Sequence, residues 1–138
     1  MKRISILAFA ILLIAGCTYH APPGDVDKAA AEFFLRAKSH DYDKIYDDAA
    51  APFKDQNPRV EALESFRKFI GYGRPARWER ISMSFADEGK WHVAQPVYMV
   101  QTDNITSKVS LKFGDANGVW RFMGMAIAPH GASDNAGQ

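Results

Sequence analysis

Cysteine is nearly absent from this sequence of 138 residues, occurring once, at Cys17. A single thiol cannot close a disulfide within the chain, so the fold must be held by packing alone. No apolar run reaches the roughly 20 residues that a helix needs to cross a bilayer; the longest, Ile4 to Ile14, has about eleven. Charge of one sign is lacking as well. The formal net charge is +1, which excludes the strongly basic face that nucleic acid demands. The histidines, His20, His40, His92 and His130, are too dispersed for a metal-ligand signature, and no cofactor is implied.

What is present begins at the N-terminus. Lys2 and Arg3 precede the apolar run, and Ala15 and Gly16 follow it directly before Cys17. This stretch resembles a bacterial lipoprotein signal. The run is too short for a transmembrane anchor and has the length of a signal h-region. The resemblance implies cleavage before Cys17, a diacylglycerol on its thiol and a further acyl chain on the new amino group, so that the lipid bilayer is the first partner. A plain secretory signal with a buried thiol is the alternative, but cleavage here leaves Cys17 at the very N-terminus, where no core can bury it. Thr18 stands where inner-membrane retention favours Asp, which implies the outer membrane, facing the periplasm.

Taking 16 residues from 138 leaves 122, enough for one small domain with one core. Loss of Lys2 and Arg3 takes the formal charge from +1 to −1. The chain thus divides into a signal at 1–16, a lipidated tether at 17–24, a domain at 25–128 and a flexible tail at 129–138. The tether contains Pro22 and Pro23 and is stiff. His20 within it reads as a solvated linker residue.

From Asp25, placed to cap, Val26, Ala29, Ala30, Phe33, Phe34 and Ala37 form one apolar helical stripe. Tyr42, Ile45, Tyr46 and Ala49 repeat the spacing over a second helix. Asn57 and Pro58 read as N-cap and first residue of a third, carrying Val60, Leu63, Phe66, Phe69 and Ile70. Beyond Pro75 the period becomes twofold. Ile81, Met83 and Phe85 alternate with polar residues, a second run spans Trp91 to about Thr102, and a third spans Ile105 to Phe113. Asp115 to Gly118 is a hairpin signal. The last run, Val119 to Ala128, is apolar on both parities, which predicts cover on both faces, hence a central place in the sheet or a face turned to a second layer.

Three helices followed by an antiparallel four-strand meander make an α+β domain, with the helices packed on one face of a strongly curved sheet. The order is similar to the nuclear transport factor 2-like superfamily, a cone whose sheet wraps its first helix. The helix end Ser39-His40-Asp41-Tyr42, with Tyr46 and Phe53 after it, and the closing pattern Lys112 to Phe122 carry the resemblance, which spans roughly Asp25 to Ala128. Enzymes of that superfamily pair an acid or histidine base with a carbonyl-polarising tyrosine or acid at the cone's mouth. The resemblance therefore points to Tyr42, Tyr46, Asp41, Asp43 and His92 as groups to locate. By spacing alone Tyr42 and Tyr46 read as core or rim residues, and Asp41, Asp43, Asp47 and Asp48 as a cap and a solvated helix face. Met123 and Met125 read as core filler, with a ligand cavity as the alternative.

Charge is unevenly spread. Asp25 to Asp48 holds seven acids and four bases, whereas Phe53 to Arg80 holds seven bases and four acids. Arg74, Arg77 and Arg80 with Trp78 are suited to an anionic headgroup or an acidic partner surface; the alternative is a solvated strand edge. These features describe a lipid-anchored, non-catalytic binding or accessory domain for an envelope component, an envelope protein being the partner. The competing description is a small cone-fold enzyme or carrier with a hydrophobic ligand in its cavity. Replacing Cys17 by Ser abolishes incorporation of labelled palmitate if the lipoprotein resemblance holds; labelling that persists in Cys17→Ser overturns it.

Overall fold

The computed structural model describes residues 24–115 and 117–129. The signal at 1–16, Cys17, most of the tether and the tail beyond Pro129 lie outside the described residues. The first helix, α1 (Gly24–Lys38), buries Val26, Ala30, Phe33, Phe34 and Ala37, the stripe its spacing predicts. Asp25 lies inside its first turn, beside Asp27.

Four helices are present where the periodicity predicts three: α2 (Tyr42–Asp47), α3 (Ala51–Gln56) and α4 (Arg59–Gly71) follow α1. Asn57 closes α3 instead of opening α4, donating from both its backbone N and its Nδ2 to the carbonyl of Phe53. The ring of Pro58 explains this, because it holds the preceding residue out of helical geometry. Asn57 is accordingly extended, at φ −129 and ψ 98, and Pro58 becomes the N-cap of α4.

The strands β1 (Pro75–Glu88), β2 (Trp91–Thr102), β3 (Thr106–Asp115) and β4 (Trp120–Pro129) form one curved, unclosed antiparallel sheet in the order β1-β2-β3-β4. The arginine-bearing stretch after Gly73 is thus mostly strand, Pro75 standing opposite Thr102. β2 runs for 12 residues, and its backbone groups find partners only if β1 extends this far.

Besides a register shift at Ala76, at the start of β1, two bulges bend the sheet and change which residues face the helices. Between Arg80 and Ser82 the register slips, leaving Ile81 without an opposite residue. Trp78 and Arg80 face the helices before that point, Met83 and Phe85 after it, and Ile81 remains 50% exposed. In β4 the extra residue is Met123: Trp120 and Phe122 face inward before it, Met125 and Ile127 after it. The two apolar parities of β4 therefore have a different cause from the one predicted. This strand is an edge, not a central strand, and the bulge turns a change of parity into one continuous inner face.

Aromatic rings fill the space between sheet and helices. Phe33 stacks on Phe122 at 5.0 Å and 10°, and Phe34 lies 5.0 Å from Trp78 and 5.5 Å from Tyr98. Phe66 and Phe69 of α4 close over Phe33 from the other side, at 6.4 and 5.8 Å.

A polar joint ties α1 to the sheet. The Tyr98 hydroxyl donates to Asp27 Oδ1 at 2.7 Å, and Arg80 Nη1 donates to Asp27 Oδ2 at 2.8 Å. Burial, and then the hydrogen bond to Asp27, push the Tyr98 phenol well above its ordinary pKa. The folded state therefore holds the neutral phenol after the unfolded chain has begun to ionise it. Stability from this group is complete below pH 10 and drains away as pH rises through and beyond that value. Tyr98→Phe costs about 1–3 kcal/mol near neutral pH. In urea denaturation the gap between the two proteins narrows as pH climbs past 10.

Candidate functional site

The short α2 sets out two tyrosines that do different work. Tyr46 is a fastener: its hydroxyl donates to the carbonyl of Asn57 at 3.0 Å, and the Arg59 guanidinium lies 4.9 Å above its ring. Arg59 in turn donates to Asp43 at 2.6 Å and to Asp47. Asp48 bonds Arg36 of α1 at 2.9 Å. The acids of α2 thus lock neighbouring helices in addition to facing solvent, while Asp41 precedes α2 without a side-chain capping bond.

Tyr42, one turn earlier, faces a different neighbourhood. Its ring stacks on Phe66 of α4 at 6.4 Å and on the His40 ring at 5.8 Å. His40 holds a left-handed backbone at φ 60, an uncommon conformation for a residue with a Cβ. The Tyr42 hydroxyl makes no hydrogen bond among the described residues. Burial raises its pKa, and the positive charges of Arg67 and Arg74 act in the opposite direction. Arg67 follows Phe66 directly on α4, and Arg74 follows the turn that ends that helix.

These two arginines differ from most of the others. Among the described residues Arg36, Arg59 and Arg80 are bound to carboxylates, and Arg121 reaches the carbonyl of Asp48 at 3.5 Å. Neither Arg67 nor Arg74 has such a partner. A half-buried phenol, an imidazole and two uncommitted guanidiniums make a patch able to hold a carboxylate or phosphate by charge-assisted hydrogen bonds.

The structure separates the residues grouped by sequence. Arg74 joins Tyr42, whereas Tyr46 belongs to the Arg59 fastener. Trp78 packs inward on Phe34, and Arg80 is bound to Asp27. Arg77 lies exposed, opposite Gln101. His92 sits apart at the β1–β2 turn, its Nδ1 2.7 Å from Asp87 and its ring stacked on Phe85. Of the five groups suggested by the superfamily, the four on or beside α2 lie at one end of the helical layer and His92 on the sheet. Met123 and Met125, separated by the bulge, do not share one strand face.

Among the surface clefts of the described residues, two are the most capacious. One of about 290 Å³ lies between α1 and β4, floored by Phe33, Phe113 and Phe122 and rimmed by Glu32, Arg36 and Arg121. The other, of about 410 Å³, crosses the outer face of the sheet over Ser82, Ser84, Gln95, Val97 and Ser110. Among the described residues no group of three or more His, Cys, Asp or Glu side chains is placed to hold a metal, and no helix is long and apolar enough to cross a membrane. No known protein-family model matches the chain, and no curated protein matches it.

Arg67 is the member of the patch that sequence reasoning passed over. Its one signal is its place at the flank of the apolar stripe of α4, immediately after Phe66. Tyr46→Phe lowers stability by about 1 kcal/mol because it removes a bond between α2 and the end of α3, while Tyr42→Phe changes it by less than about 0.5 kcal/mol. Denaturant titration of both variants checks the contrast.

Proposed function

We propose that this protein is a lipid-anchored lipoprotein of the periplasmic face, acting as a non-catalytic binding module for an acidic envelope component, on a nuclear transport factor 2-like fold. The observation that carries the reading is the patch of His40, Tyr42, Arg67 and Arg74, where neither arginine is engaged by a carboxylate. Its position suits an anchored receptor. The six residues from Thr18 to the start of α1 reach at most roughly 20 Å. The patch stands at the opposite end of α1, whose 15 residues span about 22 Å. A domain tethered at Cys17 therefore presents the patch away from its point of attachment.

The interior supports a binding role over an enclosed-ligand role. Phe33, Phe34, Phe113, Tyr98 and Phe122 occupy the concave face of the sheet, and each is buried. The cleft of about 290 Å³ between α1 and β4 opens from the surface onto Phe33, Phe113 and Phe122, and the one of about 410 Å³ lies on the outer face of the sheet. The fold assignment is supported by the curved, unclosed sheet following an N-terminal helical layer.

Affinity capture of the intact lipoprotein from detergent-solubilised envelopes, followed by mass spectrometry, tests the function. Arg67→Ser combined with Arg74→Ser removes the captured partner and leaves the thermal midpoint nearly unchanged, since neither side chain supports the fold. Arg77→Ser retains the partner. Equal capture by all three proteins overturns the assignment to this patch.

A further inference from the structure

The seam between α1 and β4 is less completely filled than the concave face of the sheet. Its cleft of about 290 Å³ has an aromatic floor made by Phe33, Phe113 and Phe122. These rings hold one another in place, Phe122 lying 5.0 Å from Phe33 and 6.3 Å from Phe113, so the floor is preformed. Ala29 contributes only a methyl group to the α1 wall, which leaves the space open. A second cleft, of about 260 Å³, adjoins the first, and Ala29, Glu32, Val119 and Trp120 line both. Val119, 53% exposed, extends the apolar wall there. A cavity of about 150 Å³ with aliphatic and aromatic walls already takes benzene, so the first cleft has room for an apolar body of roughly ten to twelve non-hydrogen atoms.

The charges at the mouth decide what the polar end of such a ligand must be. Four charged side chains stand there: Glu32, Arg36, Asp48 and Arg121. Three are engaged with one another, because Arg36 donates to Asp48 at 2.9 Å and lies 3.9 Å from Glu32. Arg121 has no carboxylate partner among the described residues, and its bond to the carbonyl of Asp48 is long, at 3.5 Å. A guanidinium has five N–H donors in a fork that fits a carboxylate, so most of those on Arg121 remain for a ligand. An ammonium would have to compete with Arg36 for its acids, whereas a carboxylate displaces nothing. One cation without an anion balances one negative charge, which favours a singly charged ligand over a dianionic phosphate.

We propose that this cleft binds a small monocarboxylic acid, with its chain or ring on Phe33, Phe113 and Phe122 and its carboxylate on Arg121. A longer chain continues into the adjoining cleft, past Trp120 toward Lys28 and Gly118. The site is independent of the patch at Tyr42, whose arginines do not line this cleft.

Isothermal titration calorimetry of the full-length protein in lipid nanodiscs tests it, with empty nanodiscs to subtract partition into the bilayer. Octanoate, octan-1-ol and octylammonium serve as probes of equal chain length. Octanoate binds saturably and more tightly than either of the others. Arg121→Gln lowers octanoate affinity about tenfold and leaves octan-1-ol unchanged. Ala29→Leu fills the cleft and abolishes binding of both. Arg67→Ser combined with Arg74→Ser binds octanoate as the unsubstituted protein does. Octanoate heat no greater than that of empty nanodiscs overturns the proposal, as do equal affinities for octanoate and octylammonium or unchanged octanoate affinity in Arg121→Gln. Loss of octanoate binding in the Arg67 and Arg74 double variant assigns the acid to the other patch and overturns it as well. Circular dichroism checks that each variant is folded. Arg121 is exposed and belongs to no ion pair among the described residues, so its substitution decides the question even where Ala29→Leu disturbs α1.

Discussion

Phe33 and Phe34 are neighbours on α1, yet both are buried, and successive residues of a helix point about 100° apart. A flat sheet covers one such direction and leaves the other in water. The sheet must therefore curve, and α4 must close what the sheet does not reach. Phe34 meets Trp78 and Tyr98 of the first two strands, while Phe33 meets Phe122 of the last strand together with Phe66 and Phe69 of α4. The edge strands contain bulges, at Ala76 and Ile81 in β1 and at Met123 in β4, and these supply the bend. Burying a phenylalanine is worth roughly 1.5–3 kcal/mol by transfer alone, so an adjacent pair justifies two irregular strands.

The ion pairs follow the same geometry. Asp27 joins α1 to Arg80 and Tyr98, Arg36 joins α1 to Asp48, and Arg59 joins the start of α4 to Asp43 and Asp47. Each lies at a seam between elements, where curvature leaves side chains partly wet, so none contributes much as an isolated charge pair. Their role is orientation. They leave Arg67 and Arg74 as cations beside Tyr42 that the fold does not consume, at the end of α1 remote from the tether. The proposed anchor and the proposed binding patch thus lie at different places, the chain's N-terminal segment and the far end of α1.

Much of the fold was legible in the sequence because helical periodicity and strand alternation depend on neighbours a few residues away. The buried stripe of α1, the meander order and the hairpin at Asp115 to Gly118 are of this kind. Failures occurred where a residue's role depended on something distant. Asn57 has the side chain of an N-cap, but it serves as the end of α3 because Pro58 and Phe53 hold it there. β4 has the apolar pattern of a central strand, but one unpaired residue converts that pattern into a single inner face at an edge. The candidate site divided in the same way. Tyr42 and Arg74 were singled out by residue type, whereas Arg67 beside Tyr42 depends on how α4 packs over α2.

By itself the sequence determined the class of the domain, its division from an N-terminal apolar segment, its lack of any internal disulfide and its nearly balanced charge. These follow from composition and short-range pattern, which no folding alters. Only the tertiary structure decided which arginines were committed to carboxylates, and which tyrosine was a fastener and which was open. Asp27 and Tyr98 are 71 residues apart, and their bond to each other exists only because the sheet curves around α1. Pairings at that separation depend on the path of the whole chain, and no local pattern encodes them.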